Sequence, residues 1–162
     1  MRARPHHLID IINRYGADIP FRPAAYGHAV HLVAEQVIAD PETMVEFVVD
    51  ADDICAPCVH LVEGRCDDVL TWPDPPGDRK RSHAKQDYND DLDRRLLDFL
   101  GMHEGQTMSF REYLRIIREH IDGIEAVCSH PGEDPARRAA NLARGWRSSE
   151  HSASGIPNCP ER

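Results

Sequence analysis

Three cysteines, Cys55, Cys58 and Cys66, fall within a twelve-residue stretch, and two more stand apart at Cys128 and Cys159. An odd number of thiols argues against a disulfide framework, and in a reducing compartment clustered cysteines point to metal or redox chemistry. A Cys-x2-Cys pair turns the chain tightly enough to aim two sulfurs at one ion. Gly64 lets the chain curl back so that Cys66 can join them, and Cys128 follows after 61 intervening residues. Four thiolates, from Cys55, Cys58, Cys66 and Cys128, would make a closed zinc site or hold an iron–sulfur cluster, and the spacing does not choose between them. Cys159 reads as a free thiol in a terminal tail.

Cys55-Ala56-Pro57-Cys58 also has the spacing of a thiol–disulfide oxidoreductase motif placed after a strand. That chemistry needs a helix N-terminus to lower the first thiol's pKa. Val59 to Gly64 leaves little room for one, and Asp50, Asp52 and Asp53 would raise the pKa instead. The same aspartates could bond the backbone N–H groups of the loop, as Asp commonly does in turns.

Ten histidines extend the inventory of donors. His6 and His7 are adjacent, so on a helix they point about 100° apart and do not easily share an ion. One of them could still approach the cysteine loop, as a ligand or as a hydrogen-bond donor to a thiolate. His28 and His31 stand at i, i+3 and could share a metal, although such a pair is more often solvated. His60 flanks the Cys-x2-Cys pair. No Gly-rich phosphate loop, His-Glu-x2-His or Gly-x-Ser-x-Gly pattern occurs in the chain.

The elements that must position these side chains follow from periodicity. Leu8, Ile11, Ile12 and Tyr15 give one helical face between Pro5 and Gly16. A second helix is expected from about Pro23 to Ala39, with Tyr26, Val30, Val33, Ala34 and Val37 inward, ending before Pro41. Thr43 to Val49 reads as a strand. From Asp50 to Lys85 no regular pattern holds, so this is a long cysteine-bearing loop. Its second half, with Trp72 to Gly77 and Arg79-Lys80-Arg81, is expected to be a mobile surface insertion. A third helix should span about Asp87 to Leu100, with Leu92, Leu96, Phe99 and Leu100 on one face and Gly101 as its stop. Ser109-Phe-Arg-Glu112 is a capping box opening a fourth, with Leu114, Ile117 and Ile121 as its stripe. These two form the hairpin that would carry Cys128 toward the loop. Asp134-Pro135 caps a last helix to about Arg147.

The expected class is therefore α+β and mainly helical, with four to five helices and one short strand. Residues 1–147 form a single metal- or cluster-binding domain and 148–162 a flexible tail. At 162 residues and 18.3 kDa, one core is what the length supports. Mean hydropathy is −0.54, and no apolar run is long enough to cross a bilayer. The first residues carry no apolar leader segment, which with the cysteine usage leads us to expect a cytoplasmic protein. A net charge of −9 argues against nucleic acid as a partner, because binding there is driven by basic side chains that displace counterions.

Arg4-Pro5-His6-His7-Leu8 and Asp52-Asp53-Ile54-Cys55-Ala56-Pro57-Cys58-Val59-His60 together resemble the domain of unknown function 1284 family, small prokaryotic proteins labelled as iron–sulfur-binding. The resemblance continues in Gly64-Arg65-Cys66, Leu92-Asp93, Leu97 to Gly101, and Val127-Cys128. It implies a metal or cluster at Cys55, Cys58, Cys66 and Cys128, without implying a reaction. Many members carry a cysteine shortly after the paired histidines, where this chain has Asp10. Many carry others after the last cysteine, where it reads Ser129-His130-Pro131. Either this site has fewer thiolates, or Asp10 or His130 replaces them. Three readings follow. The first is an iron–sulfur protein with a [4Fe–4S]-type cluster, transferring electrons to a redox partner or acting as a Lewis acid. The second is a structural zinc module, and the third a dithiol oxidoreductase.

Overall fold

A computed structural model describes residues 1–70, 84–128 and 133–152. The chain opens with strand β1 (Arg2–Ala3) and helix α1 (Pro5–Gly16), followed by α2 (Val30–Ala39) and β2 (Met44–Phe47). The short strands β3 (Leu61–Val62) and β4 (Arg65–Cys66) come next, then α3 (Lys85–Phe99) and β5 (Thr107–Ser109). Helices α4 (Phe110–Glu119), α5 (Ile124–Val127) and α6 (Pro135–Ser152) complete it. The class is α+β and mainly helical, as expected. Among the described residues there are six helices rather than four or five, and five short strands rather than one.

β2 is the centre of a three-stranded sheet, parallel to β1 through Arg2↔Glu46 and antiparallel to β5 through Val45↔Met108. Its side chains alternate cleanly, with Val45 and Phe47 buried and Met44 and Glu46 exposed, which is the signature of a sheet covered on one face. β1 and β5 escaped the sequence reading because two or three residues are too short to show a period. Buried residues from Ala3 on β1 to Leu142 on α6 form one cluster, with Leu8, Ile9, Phe47, Leu96 and Ile117 fully enclosed.

α1 starts on Pro5, whose fixed φ suits the first helical position, and buries Leu8, Ile9, Ile11 and Ile12. It lies against α6 at two glycines: a Cβ on Gly16 would come within 1.9 Å of the Asn141 carbonyl oxygen, and one on Gly145 within 2.3 Å of that of Ile12. α4 is capped as anticipated, the Ser109 hydroxyl accepting from the Glu112 N–H at 3.2 Å. α3 buries Leu92, Leu96 and Leu97, and Leu100 just past its end is buried with them, Leu97 rather than Phe99 completing the face.

Two expectations about the loops are corrected. The second helix begins at Val30, not Pro23, because Gly27 sits at φ +83°, a left-handed conformation that cannot continue a right-handed helix. Tyr26 is consequently exposed rather than inward. The supposedly irregular stretch after Asp50 contains the β3–β4 hairpin, turned at Glu63 and Gly64, both with positive φ, as a two-residue type I′ connection requires. The last helix runs on to Ser152, past the expected end near Arg147. The segment from Trp72 to Arg81, His130 and Cys159 all lie outside the described residues. Among the described residues no helix is long and apolar enough to cross a membrane.

Candidate metal centre

The site is assembled at the N-terminal end of α1. A helix start leaves its first N–H groups without intrahelical partners and favours negative charge. The first turn of α1 contains no acidic residue of its own, so the carboxylates come from elsewhere in the chain. Asp93, fully buried on α3, accepts from the His6 N–H at 2.9 Å, the His6 Nδ1 at 2.8 Å and the Arg4 Nε at 2.6 Å. Asp52, only 3% exposed, accepts from the Arg4 N–H at 2.7 Å, the His7 Nδ1 at 2.8 Å and the Cys55 N–H at 2.9 Å. Arg4 is itself buried, and its Nη2 donates to Asp90 at 2.6 Å. The charges enclosed here are thus paired and hydrogen-bonded, the condition under which buried charge is tolerated.

A second set of contacts brings His28 to the same place. The Ala29 N–H donates to the Ile54 carbonyl and the Val59 N–H to the Tyr26 carbonyl, both at 2.9 Å. Between those bonds the backbones approach so closely that a Cβ on Gly27 would stand 2.5 Å from the Pro57 oxygen. The segment before α2 is thereby laid along the Cys55–Cys58 turn, and the His28 ring meets that of His7 with centroids 5.0 Å apart.

The result is a cavity of about 340 Å³ whose wall includes His6, His7, His28 and His60 together with Cys55, Cys58 and Cys66. One ligand atom from each of His7, His28 and Cys55 lies within 4.8 Å of the others, a spacing suited to a shared metal ion. The far wall is formed by the start of α3, with Gln86 accepting from the Cys66 N–H at 2.8 Å. Three cysteines expected to act together therefore do face one space. His6 and His7, expected to diverge, both line it with centroids 4.3 Å apart. His60 flanks the site as expected, held by Asp67 at 2.9 Å. His31 is on α2 and does not line this cavity.

Cys128 is placed elsewhere. It is 3% exposed, and its sulfur accepts from Arg138 at 3.1 Å. Arg138 also pairs with Asp10 at 2.6 Å and Glu133 at 2.7 Å. Cys128 does not line the cavity, whereas Asp10 does.

The electrostatics follow from burial and these pairs. Burial opposes the charged form of His7, but the Asp52 carboxylate outweighs it and raises the imidazole pKa. Burial and the neighbouring His7 push His28 down to about 4. Burial would raise Asp52 and Asp93, yet His7 and His6 respectively, together with their hydrogen bonds, hold both below the usual carboxylate range. Burial and the Asp52 carboxylate push the Cys55 thiol up to about 12. No helix starts at Cys55, which lies in a turn. Both facts oppose dithiol exchange, which needs a thiolate near neutral pH.

The sequence reading missed the roles of Asp52 toward His7 and of Asp93 toward His6. Nothing local could have revealed them, since the partners are 45 and 87 positions apart. The bonding of the loop's own backbone was legible: Asp52 receives the Cys55 N–H, although Asp53 reaches across to the Arg2 N–H at 2.9 Å.

Residues 24–131 match the model of a family described as "Protein of unknown function (DUF1284)", a span holding His28 and four of the cysteines but not His6 or His7. No curated protein and no solved structure matches the chain.

Proposed function

We propose that this chain, which belongs to the DUF1284 family of proteins of unknown function, is a metalloprotein whose centre is an iron–sulfur cluster seated in the cavity at the start of α1. The observation that carries the reading is the convergence of Cys55, Cys58 and Cys66 with His7 and His28 on one cavity. The donor set fits a cluster. Three thiolates would each take an iron, and an imidazole would serve where the sequence alone suggested Cys128. Cys58 and Cys66 fall outside the 4.8 Å group, as donors to different metals of a polynuclear group would. When bound, such a cluster supplies one-electron transfer, or Lewis acidity at an iron that lacks a thiolate. The protein's own contribution is to hold the thiols and imidazoles in place and to keep part of the site dry. A cytoplasmic location and a redox partner go with this reading.

The test is an absorption spectrum of anaerobically purified protein, with iron, acid-labile sulfide and zinc measured on the same sample. A broad band near ~400 nm with stoichiometric iron and sulfide is the expected result. Its absence, with no iron in the protein, would overturn the cluster.

A second reading has its own support. The compactness of His7, His28 and Cys55 suits a single zinc ion, with Cys58 as the nearest further thiolate in sequence. Colourless protein with about one zinc per chain would favour it, and chelation would then loosen the segment from Asp52 to Cys66.

A further inference from the structure

We infer that Asp52 is the positioning residue of this metal centre: one buried carboxylate fixes the ring of His7 and the backbone of Cys55, and so sets two of the three closely grouped donors. The inference rests on the metal reading above but not on which metal is bound. An imidazole offers two nitrogens, and the one that binds metal is decided by what the other is bonded to. Asp52 takes the His7 Nδ1 at 2.8 Å, which leaves Nε2 as the free donor. Its other oxygen takes the Cys55 N–H at 2.9 Å, which fixes the backbone from which that sulfur projects. A third bond, from the Arg4 N–H at 2.7 Å, ties the carboxylate to the residue that opens α1. Segments 45 positions apart are thus brought to one spacing by a single side chain.

The alternative is that Asp52 merely neutralises the helix start. The molecule contains the comparison that separates the two roles. Asp93 is equally buried, and it bonds Arg4 and the Nδ1 of a histidine on the same turn of α1. That histidine, His6, is not one of the three grouped donors. Removing charge from Asp93 disturbs the helix start without touching a grouped donor; removing it from Asp52 disturbs two.

The experiment uses cobalt(II) as the probe on the full chain. Binding is followed by the thiolate-to-cobalt absorption band and the dissociation constant obtained by competition with a chelator. Asp52→Asn should weaken cobalt roughly 10–100-fold, the usual effect of losing a partner behind a ligand. Asp93→Asn, which touches none of the three grouped donors, should weaken it several-fold less than Asp52→Asn even where it lowers the melting temperature. Equal affinity in Asp52→Asn and wild type would overturn the inference, as would equal weakening by both variants. Failure of the wild-type protein to bind cobalt, with neither iron nor zinc in the protein as purified, would overturn the metal reading itself. Should Asp52→Asn not fold, cadmium-113-loaded, nitrogen-15-labelled wild type gives the same answer. The His7 Nε2 should carry the coupling to cadmium while Nδ1 keeps its proton, and coupling at Nδ1, or none at His7, would overturn the proposal.

Discussion

Burial pushes the thiols of both Cys55 and Cys128 up to about 12, yet their surroundings differ. Cys55 is half-buried on a cavity wall, with a carboxylate behind it and two imidazoles beside it. Cys128 is enclosed between α5 and α6, where burial raises its thiol against the pull of Arg138, and no imidazole is among its described contacts. One thiol shares space with other donors, and the other shares it with a guanidinium already paired to Asp10 and Glu133. The difference teaches that a cysteine's chemistry is assigned by its neighbours in space. Cys-x2-Cys spacing guarantees a neighbour. A cysteine 61 residues further on gets whichever neighbour helix packing supplies.

The largest break in this comparison is expected from serine substitutions at the two positions. Cys55→Ser should lose most of the bound metal, whereas Cys128→Ser should keep iron, sulfide and absorption at the wild-type level. Metal analysis on both variants, purified side by side, checks it. Retention in Cys55→Ser together with loss in Cys128→Ser would reverse the assignment of the two thiols.

That contrast also marks where the sequence was legible. Helices α1, α3 and α4 could be read because their apolar residues recur over several turns and their ends carry Pro5, Gly101 and the Ser109 cap. The three clustered cysteines could be read because their geometry is local. The start of α2 could not, since Gly27, at positive φ, is packed against Pro57 in a tertiary contact. The union of His7, His28 and Cys55 depends on that approach and on Asp52, both long-range. The placement of Cys128 was equally hidden, because it turns on Arg138, buried by the packing of α6 against α1.

Next in size is the packing of α1 on α6, which lies on the Cys128 side. Gly145→Ala would place a Cβ 2.3 Å from the Ile12 carbonyl oxygen, a backbone atom that cannot swing aside. Overpacking of this kind costs about 1–3 kcal/mol. A urea titration should show that loss while the metal content per folded chain stays unchanged. If the metal is lost in proportion to stability, the two sides are not separable.

A pH series probes the cavity side. Asp93 is held below its ordinary value of 3.8, since His6 and then Arg4 outweigh the opposing effect of burial. A carboxylate with a depressed folded pKa contributes stability above its unfolded pKa and loses it as pH falls through the folded one. His28, lowered from 6.5 to about 4, acts in the same direction at higher pH: the unfolded chain takes up the proton first, so stability falls as pH drops from about 6.5 to 4. The urea midpoint of the metal-free protein should therefore decline in two stages on acidification. Asp93→Asn should make the stage below about pH 4 shallower, leaving the share that Asp52 contributes, and should leave the upper one. A profile unchanged by that substitution would mean that Asp93 gains nothing from its partners.

The smallest effects belong to the join between the hairpin and α3, where two contacts lie side by side and one of them ends on the Cys66 backbone. The Arg65–Asp87 ion pair spans 3.0 Å between side chains more than half exposed, and such pairs contribute about 0–1 kcal/mol. The Cys66 N–H bond to Gln86 ends on a side chain that is nearly fully buried, and losing a bond of that kind leaves an unsatisfied group at a cost of about 1–3 kcal/mol. Gln86→Leu should thus lower stability measurably and loosen Cys66, seen as faster hydrogen exchange at its amide. Arg65→Ala should do neither. If Arg65→Ala proves the more damaging, the hairpin is held by surface charge, and the buried glutamine is not what places Cys66 in the cavity wall.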